Sequence, residues 1–181
     1  MANTIKISKG LDIKIDGKAI EKISKIQPSR VIEIIPDHFH GITPKVTVKE
    51  GEAIKAGTPL FYNKNYESMK FVSPVSGSIR EIKRGERRKV MSILIDVNSQ
   101  LEFLKFGVKK TSSLTADEIK STLLNSGLWV YIKQRPYDTI ANPDRTPKAI
   151  FISGFDSAPL APDYEYVMKD KMNDFQAGLD V

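Results

Sequence analysis

Cysteine is absent from the 181-residue chain. Within this stretch that excludes disulfides, thiolate nucleophiles and cysteine-ligated zinc or iron–sulfur centres. Histidine is scarce: His38 and His40, both in "PDHFHG", are the two present. With Asp37 they make an incomplete ligand set at a spacing that matches no zinc signature, so a loop without metal, or a contact surface, is expected there. No apolar run approaches the roughly 20 residues that cross a bilayer. The opening "MANTIKISKGLDIKI" alternates apolar and polar residues without the apolar stretch of a signal peptide. Work at a membrane would therefore run from the side, through partners. Also missing are a Gly-x-Gly-x-x-Gly run, a Walker pattern, and any Ser/His/Asp or paired-carboxylate constellation. The reading is a chain with no independent dinucleotide-binding fingerprint and no catalytic set of its own.

What is present is a globular composition with lopsided charge. Hydrophobic residues make up 40% and charged residues 28%, which suits a folded core rather than a disordered chain. Residues 1–100 hold 18 Lys/Arg against 11 Asp/Glu, a net +7, whereas residues 101–181 hold 10 against 11, a net −1. The shift predicts two units joined near residues 97–115, the first suited to an acidic partner, anionic lipid or nucleic acid.

Periodicity changes at the same place. Ile5, Ile7, Leu11, Ile13 and Ile15 alternate with polar residues around Gly10. "RVIEIIP" (30–36), "PKVTVKEG" (44–51) and "GTPLFYN" (57–63) read as short strands, and 78–83 and 89–96 as a pair joined at Arg84-Gly85-Glu86. Many short strands with glycine turns predict a sandwich or barrel over 1–100. Beyond it, Thr115 with Glu118 forms a capping-box pattern, Ile119, Leu123 and Leu124 share a helical face, and Gly127 suits the position after the helix. "LWVYI" (128–132) and "AIFIS" (149–153) predict strands buried on both faces. Pro162-Asp163 opens a last helix whose Tyr164, Val167, Met168, Met172, Phe175 and Leu179 form one stripe. Helix, strand, strand, helix over 101–181 reads as the beginning of an open α/β sheet. Two strands cannot bury themselves, which predicts the N-terminal piece of a longer protein.

"VKEGEAIKAGTPLF" (48–61) and "VSPVSGSIREIKRGERRKVMSILI" (72–95) echo each other as strand–Gly–Glu–strand pieces. Residues 44–96 resemble biotinyl and lipoyl carrier domains, two quasi-repeated halves packed as a barrel-sandwich hybrid. In "ESMKFVSPVSG" (67–77), Glu67-Ser68-Met69-Lys70 looks like the biotin-bearing Glu-Ala-Met-Lys. A carrier lysine, however, must stand on an exposed hairpin tip. Lys70 is too close to Ser73-Pro74 for a return strand of carrier length. Counting back from Gly77 by the carriers' usual spacing reaches Tyr66, which cannot form the amide. The expectation is an unmodified strand lysine at 70, with Tyr66 in the region equivalent to the tip.

A second resemblance runs through nearly the whole chain. It is carried by "KISKGLDIKIDG", "VKEGEAIKAGTPLFYNK", "KFVSPVSGSIREIKRGERR", "LWVYIKQRPYD" and "PKAIFISGFDSAPLAPD". Its most specific pieces are Gly85-Glu86-Arg87-Arg88 and Phe155-Asp156-Ser157-Ala158-Pro159-Leu160-Ala161. The chain resembles the A subunit of the sodium-translocating NADH:quinone oxidoreductase. That resemblance implies a mixed α and β fold: a β-rich, biotinyl/lipoyl-like barrel-sandwich hybrid (1–100), then the beginning of a Rossmann-like α/β domain (101–181), truncated. It implies a peripheral subunit on the cytoplasmic face of the bacterial inner membrane, partnered by the other subunits of the membrane-embedded complex and not by nucleic acid. NADH, flavins and ubiquinone then belong to the complex, with no group bound covalently by this chain. The implied role is complex assembly and a part in ubiquinone reduction coupled to sodium export. The alternatives are a covalent biotin/lipoyl carrier domain, the C subunit of the related electron-transport complex, or a basic nucleic-acid module whose affinity falls steeply with salt.

Two stretches supply candidate sites. "REIKRGERRK" (80–89) has six basic residues and two glutamates without interleaved aromatics. Arg84, Glu86, Arg87 and Arg88 are its partner- or anion-contact candidates, with Glu86 placed to pair with a neighbouring arginine. "GFDSAPLAP" (154–162) follows an expected strand, where open α/β sheets bind ligands. Phe155, Asp156 and Ser157 are candidates for a quinone-side contact, Asp156 and Ser157 being equally suited to shaping a turn. Trp129, Tyr131 and Phe151 suit either an apolar quinone pocket or core.

Overall fold

The computed structural model describes residues 6, 10, 15–16, 20–27, 29–107, 113–156 and 158–181. Ile5, Ile7, Leu11 and Ile13, on which the expected first strands rest, and the candidate Ser157 lie outside the described residues. Two compact units are present: Gln27–Pro147 with Asp180–Val181, and Lys148–Leu179 with the described residues of Met1–Ile26.

The larger unit is built on seven strands: β1 (Val31–Ile34), β2 (Pro44–Val46), β3 (Ala53–Ile54), β4 (Pro59–Asn63), β5 (Tyr66–Val72), β6 (Gly77–Arg84) and β7 (Val90–Val97). They form an antiparallel four-stranded sheet, β1-β7-β6-β3, and an antiparallel three-stranded sheet, β2-β4-β5. Alternation sends Met69 and Phe71 of one sheet and Ile93 and Ile95 of the other into one core, where Ile79, Leu60 and Phe61 join them, the last two being consecutive residues at a register shift in β4. Phe61 and Phe71 face each other across β4 and β5 and stack with centroids 4.6 Å apart. Phe39 meets Phe71 edge-on at 4.9 Å. Ser73–Ser76 forms the turn into β6. Ser73 Oγ donates to the Val75 carbonyl at 2.6 Å, and Ser76 Oγ donates to the Gln100 carbonyl at 3.0 Å, so both buried hydroxyls are satisfied.

The capping box at Thr115 is formed as the sequence predicts. Thr115 Oγ1 accepts the Glu118 N–H at 3.3 Å, and Glu118 Oε2 accepts the Thr115 N–H at 2.9 Å. It opens α1 (Ala116–Asn125), which closes at Ser126 and the left-handed Gly127 (φ 76°). α1 packs on β5, and Leu124 joins the barrel core together with Val130 and Ile140. A Cβ on Gly127 would stand 2.7 Å from Val72 Cγ2, so the close approach and the left-handed backbone both require glycine.

Leu128–Ile132 is not the expected strand. Gly127 reverses the chain directly after the helix, and Leu128–Tyr131 coil into a 3-10 turn closed by Ile132 N–H to the Trp129 carbonyl at 3.0 Å. Val130 is buried by that turn, while Leu128 and Tyr131 face outward. A small hairpin follows, β8 (Lys133–Gln134) and β9 (Thr139–Ile140), and Trp129 Nε1–H donates to the Ala141 carbonyl at 2.8 Å.

In the smaller unit, residues 149–153 also depart from expectation. They form no strand, and Phe151 is 93% exposed. No neighbouring strand among the described residues pairs with their backbone, and an apolar sequence without such a partner cannot make a ladder. The expected last helix is two: α2 (Tyr164–Met168), capped by Asp163 Oδ1 on the Glu165 and Tyr166 N–H groups, and α3 (Met172–Leu179). Lys171 N–H bonds the Met168 carbonyl at 2.8 Å, a tight closure that ends α2. No described helix is long and apolar enough to cross a membrane.

Candidate functional site

The β4–β5 hairpin is where a carrier domain would present its lysine. Here Asn63 pairs with Tyr66, so the turn consists of Lys64 and Asn65, and Tyr66 flanks the tip as the first residue of β5. The tip residue is thus Lys64, which sequence counting passed over. The signal available was the polar Asn63-Lys64-Asn65 run between two apolar stretches, a turn composition. Lys70 lies within β5 opposite Tyr62, its ammonium 4.9 Å from that ring's centroid, while Lys45 of β2 approaches the same ring at 5.4 Å. It is a strand lysine.

The backbone of this tip is fixed, while the Lys64 side chain is exposed. Lys64 N–H is tied to the Thr43 carbonyl at 2.8 Å. Asn63, 2% exposed, accepts the Thr43 and Asn65 N–H groups on Oδ1, both at 3.2 Å. Asn65 and Tyr66 line a cleft of about 220 Å³ closed on its other side by Gln134, Thr139 and Asn142 of the β8–β9 hairpin. The segment after α1 thus flanks one side of the hairpin and leaves Lys64 and Asn65 exposed.

At the other end, β6 and β7 meet in a turn over Glu86–Arg88. Gly85 N–H donates to the Lys89 carbonyl at 2.8 Å, and Lys89 N–H to the Glu86 carbonyl at 3.1 Å. Arg87 (φ 53°, ψ 28°) and Arg88 (φ 60°) fill the two central positions in left-handed conformation. These are the φ values of a type I′ turn, which follows strand twist and favours Asn-Gly. Below the turn the cations are paired: Arg80 with Asp96, Lys83 Nζ with Glu33 Oε1 at 3.8 Å, and Lys89 Nζ with Asp37 Oδ2 at 2.6 Å. The hydrogen bond to Asp96 raises the Arg80 pKa above its ordinary value. Arg84, Glu86, Arg87 and Arg88 are all exposed. Among the described residues none of these four makes an ion pair, so Glu86 does not take the arginine partner expected of it. Arg84 Nη1 donates to the Arg88 carbonyl at 3.4 Å.

The remaining candidates are dispersed. His38 and His40 flank Phe39, whose ring is packed on the core, and no described cluster of three or more His, Asp or Glu side chains is assembled for a metal. Trp129 is half-buried on the core of the larger unit and Tyr131 is exposed there, whereas Phe151 belongs to the smaller unit. Phe155 is 79% exposed, and Asp156 Oδ1 accepts the Ala158 N–H at 2.9 Å, shaping a turn.

Residues 5–98 match the family model described as the NqrA N-terminal barrel-sandwich hybrid domain, and residues 114–181 match the NqrA second alpha/beta domain. The chain belongs to the NqrA family. Its fold class is therefore the expected one, a barrel-sandwich hybrid followed by an α/β domain. Relatives named as the A subunit of Na(+)-translocating NADH-quinone reductase are similar along almost all of it. That of Pseudomonas aeruginosa is 36% identical over 98% of this chain and 40% of its own length. Those of Serratia proteamaculans and Neisseria meningitidis serogroup A are 37% and 36% identical over 98% and 97% of this chain, again 40% of their own length. The chain thus spans 40% of the length of these NqrA relatives.

Proposed function

We propose that this chain works as the N-terminal part of a peripheral subunit of a sodium-translocating NADH:quinone reductase, on the cytoplasmic face of the bacterial inner membrane. Its role is assembly of the complex and a contribution to ubiquinone reduction coupled to sodium export. NADH, flavins and ubiquinone belong to the complex, and this chain holds no covalent group. The hybrid domain takes residues 1–100 and the α/β domain the remainder. The observation that carries this reading is the family match in chain order over both domains. The hairpin geometry supports it, because the lysine of the carrier-like tetrapeptide, Lys70, lies within β5 and not at the tip. Arg84, Glu86, Arg87 and Arg88 are assigned to partner contact, and Phe155, Asp156 and Ser157 to the quinone side.

The test is genetic and biochemical. The full-length protein with this sequence is supplied to a strain lacking its own NqrA. Co-purification with the other subunits and return of sodium-dependent quinone reductase activity are expected. A protein that folds but neither co-purifies nor restores activity overturns the proposal.

A further inference from the structure

The Arg87-Arg88 turn poses a physical puzzle. L-residues in the left-handed region crowd Cβ against the following carbonyl oxygen, and glycine and asparagine relieve that conflict at lowest cost. Both central positions nevertheless carry arginine at positive φ. The turn's closing hydrogen bonds and the Arg84 contact to the Arg88 carbonyl hold the backbone, but the Arg87 and Arg88 side chains themselves are exposed and make no ion pair among the described residues. Any residue could make those backbone bonds, so the choice of arginine over glycine or asparagine points to what the side chains reach outward.

We propose that this turn is a docking fork for paired carboxylates on a partner protein, and that the hairpin sacrifices backbone comfort to present it. The proposal deepens the partner-contact reading above and rests on it. Three observations select this occupant. First, charge is confined to the tip. Arg80, Lys83 and Lys89 are each paired with an acid, whereas Arg84, Arg87 and Arg88 stand beyond them with Glu86 as their single acidic neighbour. Second, the unpaired cations are all arginines, whose planar forks bind carboxylates with two parallel hydrogen bonds, while the lysines of the same hairpin are paired within the chain. Third, the β6–β7 ladder holds the turn before any partner arrives, which reduces the ordering cost of docking.

A lipid surface is disfavoured. Polybasic membrane segments carry about 4–8 clustered Lys/Arg, and this tip has three unpaired arginines. The apolar Met91 beside it lies against Gly85, with Sδ 3.1 Å from where a Cβ would stand there. Nucleic acid is disfavoured too, because β6 and β7 contain no aromatic residue for stacking.

Two double variants test the proposal. R87N/R88G installs the pair that a type I′ turn favours and removes both forks. The 181-residue chain should then melt higher, by about 2–8 °C. Retention of the full-length protein on membranes holding the rest of the complex should fall at least tenfold. R87K/R88K keeps charge and strain, so melting should not move, and retention should fall less. The amine introduced by R87K should be joined by carbodiimide to an Asp or Glu of another protein of the complex. Unchanged or lowered melting of R87N/R88G overturns the strain argument. Unchanged retention of R87N/R88G, with the unsubstituted protein bound, overturns the docking fork alone. Failure of the unsubstituted protein to bind overturns the underlying reading as part of the complex. Sedimentation of the chain with phosphatidylglycerol vesicles, lost in R87N/R88G, would assign the fork to lipid and overturn a protein partner.

Discussion

Gly77 shows how one residue can fix the barrel. It begins β6 opposite Ile54 on one side and Val97 on the other. A Cβ there would stand 1.9 Å from the Asp96 carbonyl oxygen, which is backbone and cannot swing aside. Gly77→Ala must therefore spread β6 from β7, and the expected loss is roughly 1–3 kcal/mol, the range for overpacking. Urea unfolding of the variant checks it, and an unchanged midpoint would refute the close approach. Lysine chemistry is decided at the same scale. Lys70 is held in a strand beside Tyr62, and Lys64 stands exposed at the tip without the tetrapeptide that marks a carrier lysine. Intact mass after expression with a biotin ligase should equal the unmodified mass. An added biotin on either lysine would return the domain to the carriers. The sequence supported the exclusion of Lys70 by distance to Gly77 alone. It did not reveal Lys64, because the start of β5 at Tyr66 depends on pairing with Asn63, a contact between strands.

Elements were legible where their signals are local. The capping box and Gly127 are set within one helix and its ends, and both stand where the pattern puts them. The β6–β7 pair was legible from alternation and its central glycine. The apolar runs 128–132 and 149–153 were not, because a short apolar run reads alike as strand, turn or buried helix until partners are known. The arginine turn was visible as composition, yet its left-handed geometry was hidden, since Arg-Arg is no turn signal. A segment of the larger unit offers a pH test. Glu102 N–H donates to Ser76 Oγ, and its carboxylate pairs with Lys55 Nζ at 2.9 Å, clipping residues 100–104 beside Ala56. The hydrogen bond from Lys55, then its charge, holds the Glu102 pKa below the ordinary carboxylate value. A carboxylate depressed in the folded state adds stability above its unfolded pKa and loses it as pH falls through the folded one. The contribution should be present at neutral pH and vanish on acidification below the ordinary value. Urea midpoints of the parent and Glu102→Gln, taken from about pH 6 down to about pH 3, should converge at the acid end. A constant difference between them would refute the linkage.

For the molecule as a whole, the barrel and the segment after it share one core. Leu124, Val130 and Ile140 are all buried and belong to the same cluster as Phe61 and Ile95. The charge shift and the change of period both place a boundary near residue 100, but they report composition and local structure, not which side chains meet. Packing sets a different boundary for cooperative folding, because Gln27–Pro147 is one compact unit. Removing a buried Leu or Ile side chain costs roughly 2–5 kcal/mol, and the whole stability of a domain is only about 5–15 kcal/mol. Losing all three together would consume most of that margin. A chain cut to residues 27–147 should unfold in one cooperative urea transition. A chain cut to 27–100 should unfold at much lower urea or bind a hydrophobic dye without denaturant. Equal midpoints for the two would mean that α1 and the β8–β9 hairpin only rest on a barrel that is complete without them.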